Sequence, residues 1–327
     1  MNAYLNTTIP TIYADMNIFR YVACGDISIH EAGRFIWVFS HVHFDEIHRN
    51  GNTDALKGMA ILNEVEITDV LDFNFHSVGN VVLQKYVDPY LRYQQHLEAI
   101  NGFEDKGDHI IELLMRIYGA DNFAELSLTP GQLRIEIDSL IDKIDPEVYA
   151  RTREKALDVS DQMQAAINLH LSERLPIDKT RLSLGITSEI RREIQELESP
   201  IDEIWNLISP SVKGINKNQF LGFEPLPGVE GVERTQHGSI ASSQAVLNLL
   251  GVSPDKGLAS RKKIRNILSD GQHVGMASYC SGLLSADRKF CNKAQMTYTY
   301  LGNVTRVLGF EFVKGMQVNI HEGQLET

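Results

Sequence analysis

The sequence predicts an α/β domain interrupted by a long helical insertion. Two observations carry that expectation: strands alternate with helices near both ends of the chain, while the middle shows helical patterning alone. A third is the apolar fraction of 43% against a charged fraction of 23% over 327 residues, a balance that lets a globular chain bury a proper core.

The segment 8–15 (TIPTIYAD) alternates and then turns at Met16-Asn17, so a strand is expected to deliver Asp15 at its C-terminal end. Segment 30–49 has helical apolar spacing at Phe35, Val38, Val42 and, less regularly, Ile47. Asn50-Gly51-Asn52 is a turn signal, after which a second helix is expected over 54–62. Segment 67–75 (ITDVLDFNF) reads as a short strand.

From about Ser77 to Ser209 the pattern changes to long polar helices. Asp145-Pro146 starts one, with Asp145 as the cap and Pro146 in the first turn, running to about Leu171. Others are expected over 187–198 and 200–209, followed by a Pro/Gly-rich connection from Gly222 to Gly231. Helices return at 238–250 and 257–269, and Asp270 is expected to open a further one. An apolar strand around 282–286 then leads into a helix from Asp287 to Ala294. The expected organisation is an N-terminal half over 1–76, an insertion over 77–234 and a C-terminal half over 235–327.

Several classes are excluded by composition. No apolar run approaches the roughly 20 residues that span a bilayer, so no membrane partner is expected. The start MNAYLNTTIPTIYADMN lacks the basic and apolar regions of a signal peptide. Cys24, Cys280 and Cys291 show no CxxC spacing, which suits reduced thiols in a cytoplasmic protein and small core residues rather than nucleophiles. There is no P-loop, so use of nucleoside triphosphates is unsupported.

The net charge of −12 argues at first against a nucleic-acid partner. Its distribution weakens that objection. Residues 98–206 hold 23 Asp and Glu against 12 Lys and Arg, whereas residues 207–327 hold 13 bases against 9 acids. The acidity belongs to the insertion.

The chemistry-bearing residues lie near the two ends. Asp270-Gly-Gln-His273-Val-Gly-Met-Ala277 precedes the apolar strand, and Ser285-Ala286-Asp287 closes that strand. In an open parallel sheet, carboxylates at strand and helix ends converge on the crevice at the strands' C-termini. The pattern Asp-x-x-His-x-x-x-Ala, an apolar strand, then Ser-x-Asp resembles the C-terminal half of PIN domains. The N-terminal half is similar too, with a strand ending Asp15-Met16-Asn17 and a helix carrying Glu46 in HVHFDEI. The match covers about residues 8–75 and 235–312, and the insertion is its main departure from a compact PIN domain.

That resemblance implies a three-layer fold around a mainly parallel sheet. It also implies a metal-dependent nuclease, most often an endoribonuclease, leaving 5′-phosphate and 3′-hydroxyl ends. Asp15, Glu46, Asp270 and Asp287 would be its catalytic, metal-holding quartet, with Asn17 and Ser285 as supporting polar residues. Oxygen-only ligation favours Mg2+ or Mn2+. RNA is the expected partner.

Competing readings stand beside each of these residues. Asp15, Asp270 and Asp287 also suit helix N-caps, a role compatible with metal binding. Asp45 lies beside Glu46, and either carboxylate suits an inward position. His41, His43 and His48 form no HExxH and suit ordinary surface or core positions, while His273 suits packing or hydrogen bonding beside Asp270. Arg261, Lys262, Lys263 and Arg265 form the densest basic cluster, and Arg288 and Lys289 follow Asp287. If they flank one cleft they hold phosphates; otherwise they are solvated helix faces.

Two other functions compete. One is a PIN-like scaffold that binds RNA or protein without cutting. The other is a phosphatase of the haloacid-dehalogenase type, disfavoured because the second Asp of its nucleophile loop is missing. The insertion is expected to serve as a homodimer contact, a site for a regulatory protein, or a cover for the cleft.

Overall fold

A computed structural model of the chain describes residues 7–71, 77–84, 88–101, 181–182, 184–194, 197, 199–225, 234–252 and 261–320. The first strand, β1 (Thr11–Ala14), is buried along its whole length, as a central parallel strand must be. Then come α1 (Met16–Cys24), β2 (Ile27–Ile29), β3 (Ile36–Phe39), α2 (His41–Asn50), α3 (Asp54–Leu62), β4 (Val65–Leu71), β5 (Ser77–Gln84) and α4 (Pro89–Ile100). The later part holds α5 (Ser188–Ile194), α6 (Pro200–Ile208), α7 (Lys217–Leu221), α8 (Gln236–Leu250) and α9 (Arg261–Ala277). It closes with β6 (Gly282–Ser285), α10 (Arg288–Leu301), β7 (Arg306–Gly309) and β8 (Met316–Val318).

Six strands form one sheet in the order β5-β4-β3-β1-β6-β7. Every pairing is parallel except β4 with β5. A separate parallel pair joins β2 to β8. The fold is therefore α/β with a mainly parallel central sheet.

The period-2 alternation of the strands divides the core in two. Ile12, Ala14, Trp37, Phe39 and Leu284 share one apolar cluster with Ile18 and Phe19 of α1, Phe44 and Ile47 of α2, and Leu56 and Met59 of α3. Tyr13, Val38 and Leu283 join a second cluster with Ile240 of α8, Val274 of α9, and Phe290, Ala294 and Tyr298 of α10. Helices α5, α6 and α7 bury their apolar stripe in a third cluster, against Leu247 and Leu250 of α8 and Met296 of α10. Helix α4 is tied to the sheet by Arg92, whose guanidinium grips the buried Glu66 of β4 at 2.7 and 2.9 Å.

Several local expectations are corrected. Met16-Asn17 is the start of α1 rather than a turn. The helix expected over 30–49 is a strand followed by a helix. Ile36–Phe39 is a short run of aromatic and β-branched residues in the sheet, a kind that periodicity alone does not separate from helix. Ser77–Gln84, expected to begin the polar helices, forms β5 on the sheet edge. Asp270 does not open a helix, because α9 runs unbroken from Arg261 to Ala277. The last helix extends beyond Ala294 to Leu301. The helix expected over 145–171 and residues 72–75 lie outside the described residues. Among the described residues, no helix is long and apolar enough to cross a membrane.

Candidate functional site

From β1 the chain adds β3 and β4 on one side of the sheet, then returns to add β6 and β7 on the other. The switch point is the β1–β6 junction, and ligand crevices in open α/β sheets form at the strand C-termini there. Asp15 follows β1 at that junction and Asp287 stands two residues after β6.

Asp15 is buried. Its N–H donates to the Leu284 carbonyl at 2.9 Å, which fixes the ends of the two strands together. Its Oδ2 accepts the Ser285 hydroxyl at 2.8 Å and, more weakly, the Asn17 amide at 3.4 Å. It stands at the N-cap position of α1 without making a side-chain cap bond. Burial pushes the Asp15 carboxyl above its ordinary value. The charges of Glu46 and Asp287 add to that, against opposing contributions from His273 and Ser285.

Asp287 is exposed and does cap its helix: Oδ1 accepts from the N–H groups of Lys289 at 2.8 Å and Phe290 at 3.0 Å. Ser285 links the two acids, since its hydroxyl also accepts the Asp287 N–H at 3.0 Å.

Glu46 reaches the site from α2. Asp45, its neighbour, turns elsewhere and meets His96 at 2.9 Å. Glu46 Oε2 lies 3.3 Å from Nε2 of the buried His273. A carboxylate only accepts, so Nε2 carries the proton, and Nδ1 meets the Tyr13 hydroxyl at 2.8 Å. Tyr13 Oη also meets the Ser40 hydroxyl at 2.8 Å. His43 completes this buried network, donating from Nε2 to the Ala14 carbonyl at 2.9 Å and accepting the Ser40 N–H at Nδ1. Burial alone would raise the Glu46 carboxyl. The His273 hydrogen bond and the charges of His273, Arg49 and Arg20 outweigh it and hold the group below its ordinary value. Burial, with the neighbouring His273, keeps His43 well below the usual imidazole range.

All four expected acids line one cavity of about 210 Å³, together with Asn17, Lys263, Asn266, Ser269 and Phe290. Asp270 reaches it from the body of α9. Ser285 lies just behind the wall, bonded to Asp15. Among the described residues, no group of three or more His, Cys, Asp or Glu side chains is arranged to hold a metal ion. The carboxylates surround the cavity rather than meet at a point, each drawn to its own protein partner. The donor set is nonetheless all oxygen, the chemistry that suits Mg2+ or Mn2+.

A second concavity of about 690 Å³ adjoins the first and shares Glu46 and Asn266 with it. Of the expected basic residues, Lys262 and Arg265 line this groove and Lys263 lines the acidic cavity. Arg288 and Lys289 line neither, and the side chain of Arg261 lies outside the described residues. Sequence reasoning missed Arg20 and Arg49, which also line the groove. A signal existed for each: Arg49 follows Glu46 at the i+3 helical spacing, and Arg20 follows Met16 at i+4.

The cysteines do not enter this chemistry. Burial pushes the Cys280 thiol up to about 12, and burial with the Asp15 and Asp287 charges does the same to Cys291. Compared with known proteins, the chain matches no family model, no curated protein and no solved structure.

Proposed function

We propose that the chain is a metal-dependent phosphodiester hydrolase, a nuclease acting on RNA, with its site in the acidic cavity. One observation carries the reading. The four acids singled out by the resemblance to PIN-domain nucleases, at positions 15, 46, 270 and 287, line one cavity at the sheet's switch point.

Electrostatics supports a cation there. Two unit negative charges 4 Å apart repel by roughly 4 kcal/mol at an effective dielectric of 20. Four carboxylates around one small cavity therefore favour either protons or a metal. Lys263 offsets only part of that charge. Asp15, Glu46, Asp270 and Asp287 would hold Mg2+ or Mn2+, which supplies an acidified water and neutralises charge on the phosphate. Ser285 and Asn17 aim Asp15, and His273 aims Glu46. The insertion is the proposed contact for a second copy or a regulatory protein.

A second reading is a scaffold that binds RNA or protein without cutting. The observation favouring it is that no three acidic side chains converge closely enough, among the described residues, to form a metal-holding group.

Cleavage of end-labelled RNA and DNA with Mn2+, Mg2+ or EDTA separates the two. Asp15→Asn and Asp287→Asn are the informative variants, because Asn still caps a helix and so preserves α10. The nuclease reading predicts metal-dependent cutting that each substitution reduces at least a hundredfold. A folded wild type that cuts under no metal supports the scaffold.

A further inference from the structure

The groove beside the acidic cavity is lined by four cationic side chains from three helices: Arg20 of α1, Arg49 of α2, and Lys262 and Arg265 of α9. Glu46, shared with the acidic cavity, is the one carboxylate among the described residues of its lining. Gathering like charges around a concavity is unfavourable unless an anion enters it. Burial lowers the Arg49 guanidinium from its ordinary value, with a smaller contribution from Arg265 against the acids Glu46, Asp45 and Asp270. Among the described residues, no aromatic side chain lines the groove.

We propose that this groove holds the sugar–phosphate backbone of a single nucleic-acid strand, next to the linkage that enters the acidic cavity, and reads no bases. The proposal rests on the nuclease reading for what happens to that linkage, not for the binding of the strand. Two features argue for it. Arginine presents a planar fork of donors matched to phosphate oxygens, and the four cations are spread over three helices, so successive phosphates find separate partners. Sequence-tolerant strand binders add affinity by stacking bases on aromatic rings. A groove without rings is left with backbone contacts, which position a strand but carry no sequence information. A concavity of about 690 Å³ has room for a short stretch of one strand.

The test is fluorescence anisotropy of the full chain with labelled 12-nucleotide RNA homopolymers in EDTA, over a range of salt. Arg20 and Arg49 are both exposed, so R20A/R49A is expected to keep the fold. The control is K57A/K213A, two exposed lysines that line neither concavity. The expected result is affinity that varies less than about threefold with base identity. R20A/R49A should weaken binding more than tenfold and reduce the salt slope by about 1.4, since each phosphate contact on a single strand contributes about 0.7. The control should leave both unchanged.

Equal binding and an equal slope in R20A/R49A would overturn the proposal. So would strong base preference, or displacement of the strand by inorganic phosphate at matched ionic strength, which would make the groove a small-anion site. Cutting by a wild type whose R20A/R49A variant binds normally removes the groove and leaves the nuclease. Groove-dependent binding without cutting under any metal removes the nuclease and leaves the groove.

Discussion

Glu46 owes its place to a chain of buried partners. His273 donates to it, Tyr13 is hydrogen-bonded to His273, and Ser40 meets Tyr13. His43, packed against both Tyr13 and His273, anchors the carbonyl of Ala14 just before Asp15. One network thus fixes two of the acids, and partners of metal-holding residues typically contribute 10- to 100-fold in metal affinity. The expected outcome is that His273→Leu weakens Mn2+ binding by about that factor. His273→Gln, which keeps an N–H near the position of Nε2, should recover most of it. Calorimetric titration decides: equal Mn2+ affinity in wild type and His273→Leu would reduce His273 to a packing residue.

At this scale the sequence was most informative where a residue ends a strand. Asp15, Asn17, Ser285 and Asp287 sit in short motifs at the ends of β1 and β6, and chain geometry carries them to the crevice. Arg20 and Arg49 belong to no charge run, and their helical spacing from Met16 and Glu46 gained meaning only once α1, α2 and α9 were seen to line one groove. His43, one of three histidines in ten residues, proved structural because only it points into the core.

Helix α1 carries Asn17 and Arg20 into the site, and its position depends on a glycine. In α3, a Cβ at Gly58 would stand 2.0 Å from the Phe19 carbonyl oxygen of α1. Gly58→Ala gains about 1 kcal/mol of helix propensity. The clash is with backbone and cannot be relieved by turning a side chain, so overpacking of about 1–3 kcal/mol or more should win. The urea midpoint is expected to fall with its slope unchanged, whereas a rise would show that α1 and α3 separate freely.

Elements with strong local signals were legible. The helix over 54–62 and the strand near 282–286 follow from turn residues and apolar runs that flank them. Strand β5 was hidden because its alternation is weak and it owes its state to pairing with β4. The β2–β8 pair was hidden for a stronger reason. Ile27–Ile29 and Met316–Val318 are three residues each, and the pairing partner lies nearly the whole chain away. No local window contains such a signal.

For the molecule as a whole, topology explains how acids from both ends of the chain meet. The sheet order places β1 between β3 and β6, so residues 15 and 287 become neighbours across the switch point. The net charge of −12 resolves into an acid-rich middle and a basic groove set against an acidic cavity. That juxtaposition is what the proposed site, with a cation in the cavity and a polyanion in the groove, requires. Within the middle, β5 and α4 join the sheet and α2, while α5 to α7 pack against α8 and α10.

The four acids are proposed to hold a divalent cation, and calorimetric titration of the full chain with Mn2+ decides the point. Saturable binding is expected, weakened at least tenfold by Asp15→Asn and by Glu46→Gln. Affinity should fall as pH is lowered, because burial already holds Asp15 above the usual carboxylate range and protons compete with the cation. No saturable binding by the folded protein, or the same affinity in wild type and both variants, would contradict it.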